Sequence, residues 1–193
     1  MEEYQRYGRN KDTVINSTYI NSGVYRRKFD KITHNDDINH ILYLKAKEML
    51  FHRSGTLYED MYWIDGNTGE IVAKALDEKE EKKVEYSAYI LKAIKDRNNL
   101  ITIHTHPNSM PPSIADFNSC FLHNYVACFV ICHNGVIYSY TSSQKVPDRL
   151  YRLYINNYKN DAYINSAEIE REAQFEALKQ IRRSYKIDFV EVI

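Results

Sequence analysis

Two histidines two residues apart, His104 and His106, lie in the segment with the most chemical content, Leu100 to Asp116 (LITIHTHPNSMPPSIAD). At the end of a strand, the two-residue period of the backbone puts both imidazoles on one face. Two imidazoles on one face are half of a zinc site, and one carboxylate from a nearby element gives the three protein ligands of an open, catalytic centre. Asp116 is the natural candidate. Ser113 follows Pro111 and Pro112 and reads as a helix N-cap, which sets Asp116 at the third helical position, pointing back toward the strand end. A catalytic zinc also needs a base beside the metal that does not ligate it. Glu59, Asp60 and Glu70 are the carboxylates on offer. Glu59 is preferred, because it precedes a strand from which a side chain reaches a strand end across the sheet.

The elements that must hold these residues follow from periodicity. Asn35 or Asp36 caps a helix in which Ile38, Ile41, Leu42, Ala46, Met49 and Leu50 recur at three- and four-residue spacing, with Gly55 beyond its end. Met61 to Ile64 and Glu70 to Ala75, joined by Asp65-Gly66-Asn67-Thr68-Gly69, predict a β-hairpin. The charge run Asp77 to Lys83 reads as a solvated loop or first helical turn, followed by a helix with Val84, Ala88, Leu91 and Ile94 on one face. Leu100 to Ile103 is a short strand ending at His104, and the next helix begins only after Pro112. Tyr125 to Cys132 and Val136 to Thr141, around His133-Asn134-Gly135, predict a second hairpin whose first strand is central. Two helical stretches follow, about Asp148 to Tyr158 and Ala167 to Tyr185. Residues 1–33 carry no sustained period and are expected to be an extended arm or an attachment to a core at 34–145. Residues 146–193 form a C-terminal helical region.

His104-Thr105-His106-Pro107 with Ser113 and Asp116 resembles the JAMM motif of the JAB/MPN metalloprotease superfamily: a glutamate well upstream, then H-x-H, about seven residues, and S-x-x-D. Here six residues separate His106 from Ser113, a slightly shorter loop. The resemblance covers about residues 35 to 142, and the order helix, hairpin, helix, strand, helix, hairpin is similar to that family's core. It implies an α/β fold, JAB/MPN-like (cytidine-deaminase-like), with a mixed, mostly antiparallel sheet flanked by helices. It implies one zinc per chain on His104, His106 and Asp116, a water in the fourth position activated by Glu59, and an oxyanion steadied by Ser113. The activity implied is that of a zinc metallopeptidase or isopeptidase acting on a protein or peptide, including the tail of a ubiquitin-like protein. Residues 25–64, including FHRSGTLYEDMYWID, and the ending KIDFVEVI resemble JAB-type segments attached to phage minor head or morphogenesis proteins, which implies a phage structural protein as partner. The competing reading is a non-catalytic scaffold that keeps the fold to hold a partner, in phage head morphogenesis or a processing complex. The presence of all five motif residues counts against it. H-x-H-P and P-S-x-x-D also resemble bacterial superfamily members once linked to DNA repair.

Composition narrows the field. With 193 residues, one core plus attachments is expected. Lys plus Arg total 26 and Asp plus Glu total 26, so no basic excess points to nucleic acid. The longest apolar stretch, Tyr125 to Cys132, is far short of the ~20 residues that cross a bilayer. The polar start, MEEYQRYGRNKD, has no signal-peptide core, and the three cysteines are too few for a disulfide scaffold, so an intracellular, reducing compartment is expected, which the phage- and bacteria-type resemblance implies to be the cytoplasm of a bacterial cell or phage-infected host. Cys128 and Cys132 share a strand face and read as buried free thiols. His123 is expected at a helix C-terminus, and His34, His40 and His52 at surfaces or helix edges. The arm and the C-terminal helices are plausible contacts for a homo-oligomer.

Overall fold

The computed structural model describes residues 11–161 and 167–193. Its frame is a six-stranded sheet in the order β2-β1-β3-β4-β5-β6, formed by β1 (Met61–Asp65), β2 (Ile71–Ala75), β3 (Leu100–His106), β4 (Ala127–Cys132), β5 (Ile137–Ser142) and β6 (Ile187–Glu191). Only β3 and β4 run parallel; the other neighbouring pairs are antiparallel. Helices cover both faces, so the chain is a mixed α/β, mostly antiparallel sheet flanked by helices. Among the described residues no helix is long and apolar enough to cross a membrane.

Strand alternation sorts the core into two layers. Tyr62, Ile64, Ile101, Ile103, Phe129, Ile131 and Ile137 pack on one face, against Ile38, Leu42, Ala46, Met49 and Leu50 of α3 (Asp36–Arg53). Met61, Trp63, Cys128, Val130, Cys132, Tyr138 and Tyr140 face the other way. They meet α4 (Ala88–Ile94), α5 (Ile114–Leu122), α6 (Asp148–Asp161) and α7 (Ala167–Ser184). Both layers are needed because β3 and β4 are buried on both faces, the pattern of strands with no solvent side.

Local sequence sets the joints. Asn35 caps α3 by accepting from the backbone N–H groups of Asp37 and Ile38 at 2.9 and 3.2 Å. In the β1–β2 turn, Asp65 Oδ1 accepts from Asn67 and Thr68, both at 2.9 Å, and Gly69 takes φ +75° where a Cβ would collide with Ile41.

Three segments differ from the sequence expectations. Residues 1–10 of the expected arm lie outside the described residues; 11–33 are the attachment to the core rather than an extended arm, made of short helices joined by turns. They include α1 (Ser17–Ile20) and α2 (Gly23–Arg27), capped by Asn16 and Ser22, and they bury Ile20, Tyr25 and Phe29 against α3. Helices of four and five residues are too short to display a period. The helix after the charge run starts only at Ala88, capped by Ser87; Ile90 and Ile94 are buried, whereas Val84 precedes it and Leu91 is exposed. The C-terminal region is not wholly helical: Ile187–Glu191 is an edge strand paired to β5, with Tyr140 opposite Phe189.

Phe29 is 1% exposed and stacks edge-on with Tyr25 and Tyr43 at 5.5 and 5.7 Å. Phe29→Ala is therefore expected to cost about 3–5 kcal/mol in urea denaturation, and a loss under about 0.5 kcal/mol would show the segment to be a mere surface attachment.

Candidate metal centre

The alternation of β3 decides which side chains meet. Val130 and Cys132, opposite His104 and His106, belong to the layer facing α5, while Thr105 between the histidines faces α3. The strand runs through both histidines rather than ending before them, so they are held by strand hydrogen bonds and are 3% and 7% exposed. Pro107 to Pro112 turn the chain and deliver it to α5. Ser113 is the N-cap in a reciprocal capping box: the Asp116 N–H donates to Ser113 Oγ at 3.3 Å, and the Ser113 N–H donates to Asp116 Oδ2 at 2.6 Å. The carboxylate is thereby aimed off the helix toward β3.

The result is a convergence of three donors. His104 Nε2 and His106 Nε2 are 3.1 Å apart, His104 Nε2 lies 3.4 Å from Asp116 Oδ1, and His106 Nε2 lies 3.5 Å from Asp116 Oδ2. A tetrahedron with metal–ligand bonds of about 2.0 Å has an edge of about 3.3 Å, so these separations fit a zinc ion bound by three protein groups. The same three residues are the group, among those described, whose ligand atoms all lie within 4.8 Å of one another. The ring orientations suit that use. His106 Nδ1 is 2.9 Å from the Met110 carbonyl oxygen, an acceptor only, so Nδ1 carries the proton and Nε2 is the ligating atom. His104 is fixed by packing instead: its Nδ1 has no partner among the described residues, and its ring stands edge-on to His106 and Tyr140.

The three candidate bases separate cleanly. Glu59 lies just ahead of β1 on the face of Met61 and Trp63, is 8% exposed, and lines one pocket of about 320 Å³ with His104, His106, Ser113 and Asp116. Asp60 points to the opposite face. Its carboxylate is fully buried, 2.5 Å from Arg53 Nε and 2.6 Å from His52 Nδ1, both from α3. Glu70 is an exposed turn residue 3.5 Å from Arg97. Asp60 instead registers Glu59 against the histidines: its N–H donates to Thr105 Oγ1 and its carbonyl accepts from the Thr105 N–H, both at 3.0 Å.

Burial raises the Glu59 carboxyl above its ordinary range, opposed by the two imidazoles and assisted by Asp116. Burial alone would lower the His106 imidazole, but Asp116, Glu59 and the Met110 carbonyl together raise it to about 9. The imidazoles hold Asp116 well below the usual carboxylate range against its own burial.

The other singled-out residues lie elsewhere. Cys120, Cys128 and Cys132 are buried free thiols. His123 caps the end of α5 between the rings of Tyr86 and Tyr125, at 5.1 and 5.4 Å. His133, in the second hairpin's turn, is buried with Nδ1 2.6 Å from the Thr13 carbonyl oxygen. Sequence reasoning missed Lys82, Lys83 and Gln174, which also line the pocket. No spacing marks them; they arrive from a charge run and from α7.

Without metal, His106 is protonated at neutral pH, because its pKa of about 9 lies above 7. Zinc takes the deprotonated Nε2, so binding at pH 7 is expected to release at least one proton, and affinity should rise with pH up to about 9. Calorimetric titrations in buffers of different ionisation enthalpy check this; zinc binding with no proton release would contradict the assigned ligand. No family model, no curated protein and no solved structure matches this chain.

Proposed function

We propose that the protein is a zinc-dependent hydrolase of peptide or isopeptide bonds, with a JAB/MPN-like core. The observation that carries this reading is the convergence of His104, His106 and Asp116 in one pocket with a buried Glu59 and with Ser113. Zinc bound there would supply a Lewis acid that polarises the scissile carbonyl and acidifies water.

The chain's own residues account for the remaining chemistry. Glu59 sits where burial lifts its pKa, the condition under which a carboxylate accepts a proton near neutral pH and returns it. It takes the proton of the attacking water and passes it to the leaving amine. Ser113 Oγ accepts the N-cap hydrogen bond, which leaves its own proton free to donate to the oxyanion. Asp116 stays ionised and, through its bond from the Ser113 N–H, keeps one orientation throughout. A scaffold that only held a partner would have no use for a buried base registered beside three converged donors.

The test is Glu59→Gln. The variant is expected to bind zinc as the parent does and to lose about 10²–10⁴-fold in hydrolysis of peptide and ubiquitin-like fusion substrates. A variant that still cleaves would remove Glu59 from the mechanism; a parent that binds zinc and cleaves none of these would remove the hydrolase reading.

A further inference from the structure

We infer that the pocket receives a substrate bearing a carboxylate beside the scissile bond, and that Lys82 is the residue that selects it. This rests on the proposed hydrolase reading for the site, but it is carried by a different wall of the pocket. Residues between β2 and α4 form no helix or strand, and Lys82, Lys83, Val84 and Tyr86 from this segment line the pocket.

The position of Lys82 is determined by the backbone. Its N–H donates to the Leu57 carbonyl at 2.9 Å, two residues ahead of Glu59, and its φ is +56°, a left-handed conformation uncommon for a residue with a Cβ. The strap is thus fastened to the chain that carries the base. The two lysines differ in how their charge is answered. Lys83 Nζ is 2.7 Å from Glu80, an exposed pair. Lys82 has no carboxylate partner among the described residues.

The charge balance then favours an anion. A divalent ion on His104, His106 and Asp116 would match the carboxylates of Glu59 and Asp116, and with Lys83 paired to Glu80 the cation of Lys82 would be left as the pocket's excess charge. Met61, Val84, Tyr86 and Tyr140 give part of the wall an apolar or aromatic surface that suits the residue next to the acidic one, and Asn108, Ser119 and Gln174 add neutral polar groups. A side-chain carboxylate and a free C-terminal carboxylate offer the same chemistry.

The experiment uses zinc-loaded Glu59→Gln protein and a positional series of octapeptides carrying Glu or Gln at one site, each ending in a carboxylate or an amide. Binding is read by fluorescence anisotropy. At low salt the acidic member of at least one pair is expected to bind about fivefold more tightly, with the difference shrinking as salt is added. If the difference follows the terminus, the free carboxylate is the source; if it follows Glu against Gln in amidated peptides, it is the side chain. Lys82→Asn, which tolerates the left-handed backbone, should weaken the preference, and Lys82→Glu should weaken it further. No preference for any acidic member, or a preference unchanged in both variants, overturns the proposal. Cleavage of the same peptides by the parent is scored separately: charge preference without cleavage would sink the hydrolase reading and the scissile-bond part of this one, leaving Lys82 as the selector of an anionic ligand.

Discussion

A fully buried carboxylate ties the parts of the site together. Asp60 joins the end of α3, through Arg53 and His52, to the entrance of β1, and its backbone locks onto Thr105 between the two histidines. Arg53 also donates to the Leu76 carbonyl beyond β2, so one guanidinium spans the helix and both strands of the first hairpin. Such a pair is weak as a source of net stability, because desolvating two charges offsets most of their attraction. Its effect is positional: a one-residue slip between β1 and β3 would bury both charges without their partners and turn Glu59 to the wrong face.

The second constraint is the start of α5. Ser113 accepts from the helix and donates its N–H to Asp116, so the group that ends the loop also orients the carboxylate that faces the two histidines. A capping box fixes a helix start within one residue, and the histidines are fixed by the strand ladder. The site is therefore assembled from two regular elements, with the loop between them contributing the Met110 carbonyl that sets the His106 tautomer. Sites on such elements hold their geometry more closely than sites on loops alone.

What was legible in the sequence followed from strong local signals. H-x-H beside S-x-x-D marked the cluster, and the period of α3 and the turn chemistry of Asp65–Gly69 and Asn134-Gly135 marked the frame. The sequence favours Glu59 for its place ahead of β1, but the ground for setting Asp60 aside is the alternation that turns Met61 and Trp63 toward α4 and α5. The N-terminal helices were hidden by their shortness, and β6 because its apolar Ile187, Phe189 and Val190 lie among Asp188 and Glu191 and pair with a strand some fifty residues earlier. The charge run Asp77 to Lys83 is the largely exposed loop its composition predicts, but no spacing in it shows that Lys82 lines the pocket, because its backbone is fastened at Leu57, some twenty-five residues earlier.

The account turns on a metal held by His104, His106 and Asp116. Elemental analysis of purified protein never exposed to chelator, beside His104→Ala and Asp116→Ala, tests that most directly. The prediction is close to one zinc per chain in the parent and little in either variant, with all three folded. A folded parent without zinc, or variants that keep it, would contradict the account.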